Sequence, residues 1–223
     1  MIRTHRVTTR GVGRLALGGT AAVAAYLRLI RPWQLRWGAT DDEVERTLPG
    51  DGDVPRPSFN ATRAVTIAAR PDEIWPWLIQ IGLGRAGWYS DDLLDNLGRR
   101  SAERIIPEFQ HLAVGEVIPL SPDGTRGQWV RAFEPDRWML WGDKAGDTTW
   151  YGGREPIDGR HTRLITRVRM RYRWTSPMVV LFDLLVEFTD IAMMRKCLLG
   201  IKRRAEEAAT GVVCDHAAPV AAS

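Results

Sequence analysis

Between Thr162 and Trp174 the chain alternates strictly. Leu164, Thr166, Val168, Met170, Tyr172 and Trp174 fall on one side, and Arg163, Ile165, Arg167, Arg169, Arg171 and Arg173 on the other. A period of two is that of a β-strand with one face against an apolar interior and the other toward water. Such a strand needs neighbours and a cover for its apolar face. The neighbours are legible upstream: Val114–Leu120, Gln128–Phe133, Arg137–Trp141 and Thr148–Gly152 are separated by Gly, Pro and Asp turns, the spacing of an antiparallel meander. Ala64–Ala68 adds a short strand. The arginine row reads as a solvated sheet face that also blunts strand-to-strand aggregation.

The cover comes from helical segments. Pro71-Asp72-Glu73 opens a helix, and Ile74, Trp77, Leu78 and Ile81 form its apolar face. Pro76 is tolerable there only if the helix starts near Asp72. Ser90 caps a second short helix at Asp91–Leu97, and Ala102–Phe109 reads as an irregular turn broken by Pro107. Beyond Pro177 the period becomes helical, with Ile191, Met194, Leu198, Ile201 and Ala205 in one stripe. The preceding Val179–Phe188 is almost wholly apolar, so it is either buried or covers an opening.

Four segments follow: a basic N-terminal anchor at 1–37, a linker at 38–60, a domain at 61–208 and a disordered tail at 209–223. The linker is rich in Pro and Gly, with one short helix at Asp41–Leu48 whose Thr40 and Glu43 complete a capping box. The net charge of +4 suggests a nucleic-acid binder only until it is located. Seven arginines precede the first acid, Asp41, and removing them from 31 basic residues leaves 24 against 27 acidic ones. The chain beyond the N-terminal segment therefore nets −3, and no nucleic-acid partner is expected. Leu15–Leu27 is uncharged and bracketed by Arg14 and Arg28. A membrane-spanning anchor, an interfacial helix, a signal-peptide core and an ordinary soluble helix all fit it. We expect a membrane anchor, of undetermined orientation.

Motifs that would announce chemistry are weak. Gly82-Leu83-Gly84-Arg85-Ala86-Gly87 fits G-x-G-x-x-G, but a proline-containing helix precedes it and a meander follows, so no βαβ unit surrounds it. Glu108-x-x-His111 has a spacing used in carboxylate metal centres, yet occurs once and on no helix. No metal or cofactor is expected, and Cys197 and Cys214 read as free thiols. The remaining constellation is Trp88, Tyr89, Asp91, Asp92, Glu103, Arg104, Glu108 and His111. It offers either an acid–base pair in Glu108 and His111, or a structural ion pair of Glu103 or Glu108 with Arg104.

The order strand, two helices, meander, long C-terminal helix is an α+β helix-grip pattern. Ile67 to Leu78, Gly87-Trp88-Tyr89-Ser90, Ile106 to Gln110, Met194-Arg195-Lys196 and Gly200 to Glu206 together resemble the START-like superfamily, also called SRPBCC or polyketide-cyclase-like. Arg31-Pro32-Trp33 and Trp37–Thr40 are similar to a bacterial subgroup with a hydrophobic N-terminus. The resemblance implies a curved antiparallel sheet gripping the last helix, with a cavity between them. The expected function is binding of a hydrophobic or amphipathic small molecule, a lipid or polyketide, by Trp88, Tyr89, Glu108, His111, Met170 and Tyr172. A cyclase or dehydratase using Glu108, His111 or Arg104 is the alternative, and a membrane-surface module using the arginine row is a third.

Overall fold

The alternating segment forms the strand β6 (Thr162–Met170), and the computed structural model describes residues 23–123, 125–173 and 176–211 around it. Most of the apolar run at 15–27, and the tail beyond 211, lie outside the described residues. The other strands are β1 (Phe59–Ile67), β2 (Val117–Pro119), β3 (Gly127–Glu134), β4 (Trp138–Gly142) and β5 (Thr148–Pro156). They form one antiparallel sheet in the order β1-β6-β5-β4-β3-β2, so the first and last strands pair and the rest is a meander. A register shift between Val130 and Ala132 marks a bulge, which bends β3.

The helices are α1 (Arg31–Leu35), α2 (Asp41–Glu45), α3 (Pro71–Ile79), α4 (Asp92–Asp95) and α5 (Pro177–Ala209). A π-helical segment at Tyr26–Ile30 leads into α1. At 33 residues α5 is about 50 Å long, and it packs against β1 and α3. Its stripe of Ile191, Met194, Leu198, Ile201 and Ala205 is buried throughout. The stripe meets Phe59, Ile67, Ile74, Leu164 and Val168 in the main core. Gly200 is required on this helix, because a Cβ there would overlap the Tyr89 carbonyl. The architecture is α+β helix-grip.

Strand β1 starts five residues earlier than its sequence pattern suggests. Phe59, Ala61, Val65 and Ile67 point into the core, but Arg63 holds the middle inward position and breaks the apolar alternation. Arg63 is fully buried: its Nη1 donates to Asp190 of α5 at 2.6 Å and its Nε to the Gln34 carbonyl at 2.9 Å. A second pair lies beside it, with Arg31 of α1 gripping Glu187 through bonds of 2.7 and 2.9 Å. Residues 31–37, expected within the anchor, are thus docked onto the domain.

Three of the five arginines in the row, Arg163, Arg167 and Arg169, are covered rather than solvated as expected, while Arg171 and Arg173 stay exposed beside Asp147. Residues 39–54, expected as linker, lie over the first three. Arg167 is 2% exposed and donates to the carbonyls of Glu43, Val44 and Arg46, to Thr62 and to Asp51. Arg163 grips Glu43, and Arg169 reaches Asp51 at 3.0 Å and the Val54 carbonyl. Between these arginines Ile165 joins Leu48, Ala64, Leu140 and Tyr151 in a second apolar core on the outer face. The physical reason is donor supply: the cover has few regular elements, and the guanidinium groups satisfy its carbonyls and acids.

Arg167→Ala would strand the carbonyls of Glu43, Val44 and Arg46 beneath the cover, while Asp51 keeps Arg169. Its expected cost is about 3 kcal/mol, a fall in Tm of roughly 6–12 °C for a domain of this size. Calorimetry checks this, and a Tm within a degree or two of wild type would show the cover to be peripheral.

Candidate functional site

Beside the middle of α5 a cleft of about 380 Å³ opens between that helix and the elements facing it. Val186, Asp190, Met193, Met194 and Cys197 line it from α5, at spacings of four, three, one and three that keep them on one side of the helix. Across from them stand Leu83, Trp88 and Ser90 of the loop after α3, Leu94 and Asp95 of α4 with the adjacent Leu97, and Leu120 and Pro122 of the β2–β3 turn. Trp150 of β5 completes the lining. It stacks on Trp88 at 5.8 Å and meets Trp141 edge-on at 4.7 Å.

The glycine run builds the facing loop. Gly82 and Gly87 bridge each other, and both have positive φ. At Gly87 a Cβ would meet Asn96 Nδ2 at 2.9 Å. The run is a tight hairpin that delivers Trp88 to the cleft, and no nucleotide-binding unit surrounds it. Behind the cleft the interior between sheet and helix is filled. Met139, Trp141, Leu198 and Ile201 leave a void of only about 10 Å³. The space found between sheet and last helix is therefore an open cleft, walled by Trp150 of β5 and by Met194 and Cys197 of α5.

Of the six residues singled out from sequence, Trp88 lines the cleft. Tyr89 beside it turns into the core: its hydroxyl accepts from Gln80 Nε2 at 2.8 Å and Arg204 lies over its ring at 4.5 Å. Burial pushes the Tyr89 phenol up, so it stays neutral. Met170 is packed against the core at the end of β6, and Tyr172 lies near Phe59, with ring centroids 6.4 Å apart. Neither lines the cleft. Glu108 sits in a 3-10 turn at Pro107–Phe109, and both it and His111 are exposed outside the cleft. Glu103 pairs with Arg203 and Arg204 of α5, not with Arg104. Among the described residues no group of three or more His, Cys, Asp or Glu side chains could hold a metal ion.

Sequence reasoning missed the polar groups of the cleft. Asp95 accepts from the Ser90 hydroxyl and, at 3.3 Å, from the Asp91 backbone N–H. Its Oδ1 is buried and makes no hydrogen bond among the described residues. Burial pushes its carboxyl up to about 6, and the charges of Asp92 and Asp91 add to this. Burial, with Asp95 nearby, pushes the Cys197 thiol up to about 12, so it is a neutral lining group rather than a nucleophile. Asp190, paired with Arg63, is also raised by burial.

No protein-family model and no curated protein sequence matches the chain. Among solved structures it is similar to a polyketide-cyclase-like protein of Corynebacterium glutamicum, at 16% identity over 72% of this chain and 97% of that one, with a TM-score of 0.45. A protein from Arthrobacter aurescens is similar at 14% identity over 72% and 93%, with a TM-score of 0.41. The Aha1 dimer of Colwellia psychrerythraea follows at 15% over 60% and 92%, with a TM-score of 0.30. Likenesses this distant say nothing of the cleft's chemistry, and the helix-grip assignment rests on the strand order and α5.

Asp95 gives the cleft a pH signature. Below about pH 4 its carboxyl is protonated in both the folded and unfolded chain, and it contributes nothing. Between about 4 and 6 the folded chain holds a proton that the unfolded chain releases, so stability falls as pH rises. Asp95→Asn should therefore gain on wild type across that window and keep the gain above it, by on the order of 1 kcal/mol after allowing for partial exposure. Urea unfolding at a series of pH values checks this; a pH-independent difference would contradict it.

Proposed function

We propose that the chain binds a small apolar or amphipathic molecule in the cleft beside α5. The observation that supports this is the cleft's composition. Leucines, methionines, Val186 and the Trp88–Trp150 stack line about 380 Å³, with only a few polar groups among them. That volume lies at the lower end of small-molecule sites, which are apolar with few placed polar groups. Affinity then comes mainly from buried apolar area at ~25 cal/mol per Å². The groups put forward for catalysis, Glu108, His111 and Arg104, stand outside the cleft, so binding without turnover is the reading favoured here.

Met193→Asp places a charge on the lining and should abolish binding, whereas Met170→Asp lies outside the cleft and should leave binding intact in whatever fraction folds. Native mass spectrometry for a co-purifying lipid or polyketide, followed by titration through tryptophan fluorescence, reads both. Binding that survives Met193→Asp and fails in folded Met170→Asp would move the site elsewhere.

We further propose that the cleft works at a membrane surface. Among the described residues no helix is long and apolar enough to cross a membrane. Yet Met178, Leu185 and Phe188 recur on the outward side of α5, between 55% and 73% exposed. Leu29 and Trp33 are exposed on the segment docked beside it, and Leu94, Leu97 and Leu120 are exposed at the cleft's rim. Isolated exposed apolar residues are ordinary, and it is the recurrence of eight on α5, the docked segment and the cleft rim that supports an interaction surface. Arg163, Arg167 and Arg169 of the arginine row are taken up by their cover, which leaves only Arg171 and Arg173 exposed. In a chain starting at residue 23, Leu185→Glu with Phe188→Glu should weaken liposome flotation about tenfold or more. Unchanged flotation would contradict this placement.

A further inference from the structure

The cleft has apolar walls and one unmet polar demand. Among the described residues the ionisable groups lining it are Asp95, Asp190 and the neutral thiol of Cys197, with no Lys, Arg or His. Asp190 is answered from within the protein, because its Oδ2 takes the bond from buried Arg63. Asp95 is not. Its Oδ2 takes the Ser90 hydroxyl and the Asp91 N–H, while its Oδ1 is buried with no hydrogen bond among the described residues. Its neighbours do not neutralise it. Asp91 is an acid already spent on Lys196 at 2.7 Å, and Asp92 is an acid that accepts from Ser101. Asp95 thus lines the cleft without a countercharge among the described residues, and a cationic ligand group would supply one.

Resting on the cleft reading above, we propose that this site selects an amphiphile whose polar end is an amine, with the ammonium received by the Asp95 carboxylate that lines the cleft. An ammonium supplies both the donor and the countercharge that Asp95 lacks. A hydroxyl supplies only the donor. A carboxylate or phosphate head would meet two acids and no base, and would be repelled. The apolar tail then lies along Met193, Val186 and the Trp88–Trp150 stack, whose fluorescence reports occupancy.

Decylamine, decanol and decanoate share a tail and differ at the head. Titrated at neutral pH below their aggregation concentrations, decylamine should bind about tenfold or more tightly than decanoate, with decanol between them. That gap should collapse in Asp95→Asn. Decanol or decanoate binding as tightly as decylamine, or a gap that persists in Asp95→Asn, overturns the amine assignment while leaving the cleft reading intact. Binding by none of the three overturns both. Should Asp95→Asn fail to fold, carboxyl-carbon NMR of wild type replaces it. Decylamine must then lower the Asp95 titration midpoint from about 6, and a midpoint left unmoved by saturating decylamine overturns the proposal. The groups facing that carboxyl are Ser90, Asp91 and Asp92 from its own segment and Cys197 from α5.

Discussion

A guanidinium with no exposed surface sits on the inward face of β1, and the position of α5 depends on it. Arg63 cannot be left unpaired there, since an uncompensated buried charge costs several kcal/mol. Asp190 and the Gln34 carbonyl answer it from opposite sides, one on α5 and one on α1. The helix is thereby pinned in both register and rotation, with Glu187, three residues and nearly a full turn before Asp190, taking Arg31. A one-residue slip of α5 would rotate Asp190 by about 100° and break the pair. Asp190 also lines the cleft, so the interaction that fixes the helix fixes the cleft wall.

The sheet's two faces are closed by different chemistry. Inside, apolar side chains of β1, β6, α3 and α5 interdigitate, and stability follows buried area. Outside, the irregular segment at 39–54 could not form its own ladder, and its carbonyls would be unsatisfied when buried. Arg167 and its neighbours supply the donors, and Ile165, Leu140 and Tyr151 supply an apolar patch beneath. Arginine suits that role because its fork presents several donors at fixed angles while its stem packs.

Much of the fold was legible because period is a robust signal. The alternation at β6, the meander turns and the Ile191–Ala205 stripe each follow from side-chain direction, which local sequence dictates. What hid was polar burial. Arg63 interrupts the apolar face of β1, and the arginine row looks like a wet surface until the segment covering it is seen. Ile165 was the available hint, an apolar residue in the middle of the charged face. The site was less legible still. Trp88 stood out by type, but Tyr89, one residue on, turns the other way with a positive φ that no pattern announces. Glu108 and His111 attracted notice as reactive types, whereas Asp95 draws its character from enclosure by α5, roughly a hundred residues downstream. Tertiary desolvation of that kind leaves no local trace.

The long helix explains why its own pattern is hard to read. An α-helix offers one direction per residue at 100° steps, and α5 spends three sectors on three environments. Ile191, Met194, Leu198 and Ile201 face the core, Val186, Met193 and Cys197 turn toward the cleft, and Met178, Leu185 and Phe188 point outward. All three sectors are apolar, so the helix carries apolar residues nearly all round at its first half and shows no clean amphipathic stripe there. That is a poor design for a helix meant only to cover a sheet. It suits one that closes a core, walls a cleft and leaves a third apolar side exposed along its length. The coupling has a physical consequence: any shift of the outward sector against a surface moves the cleft wall with it, because both belong to one rigid rod pinned at Asp190.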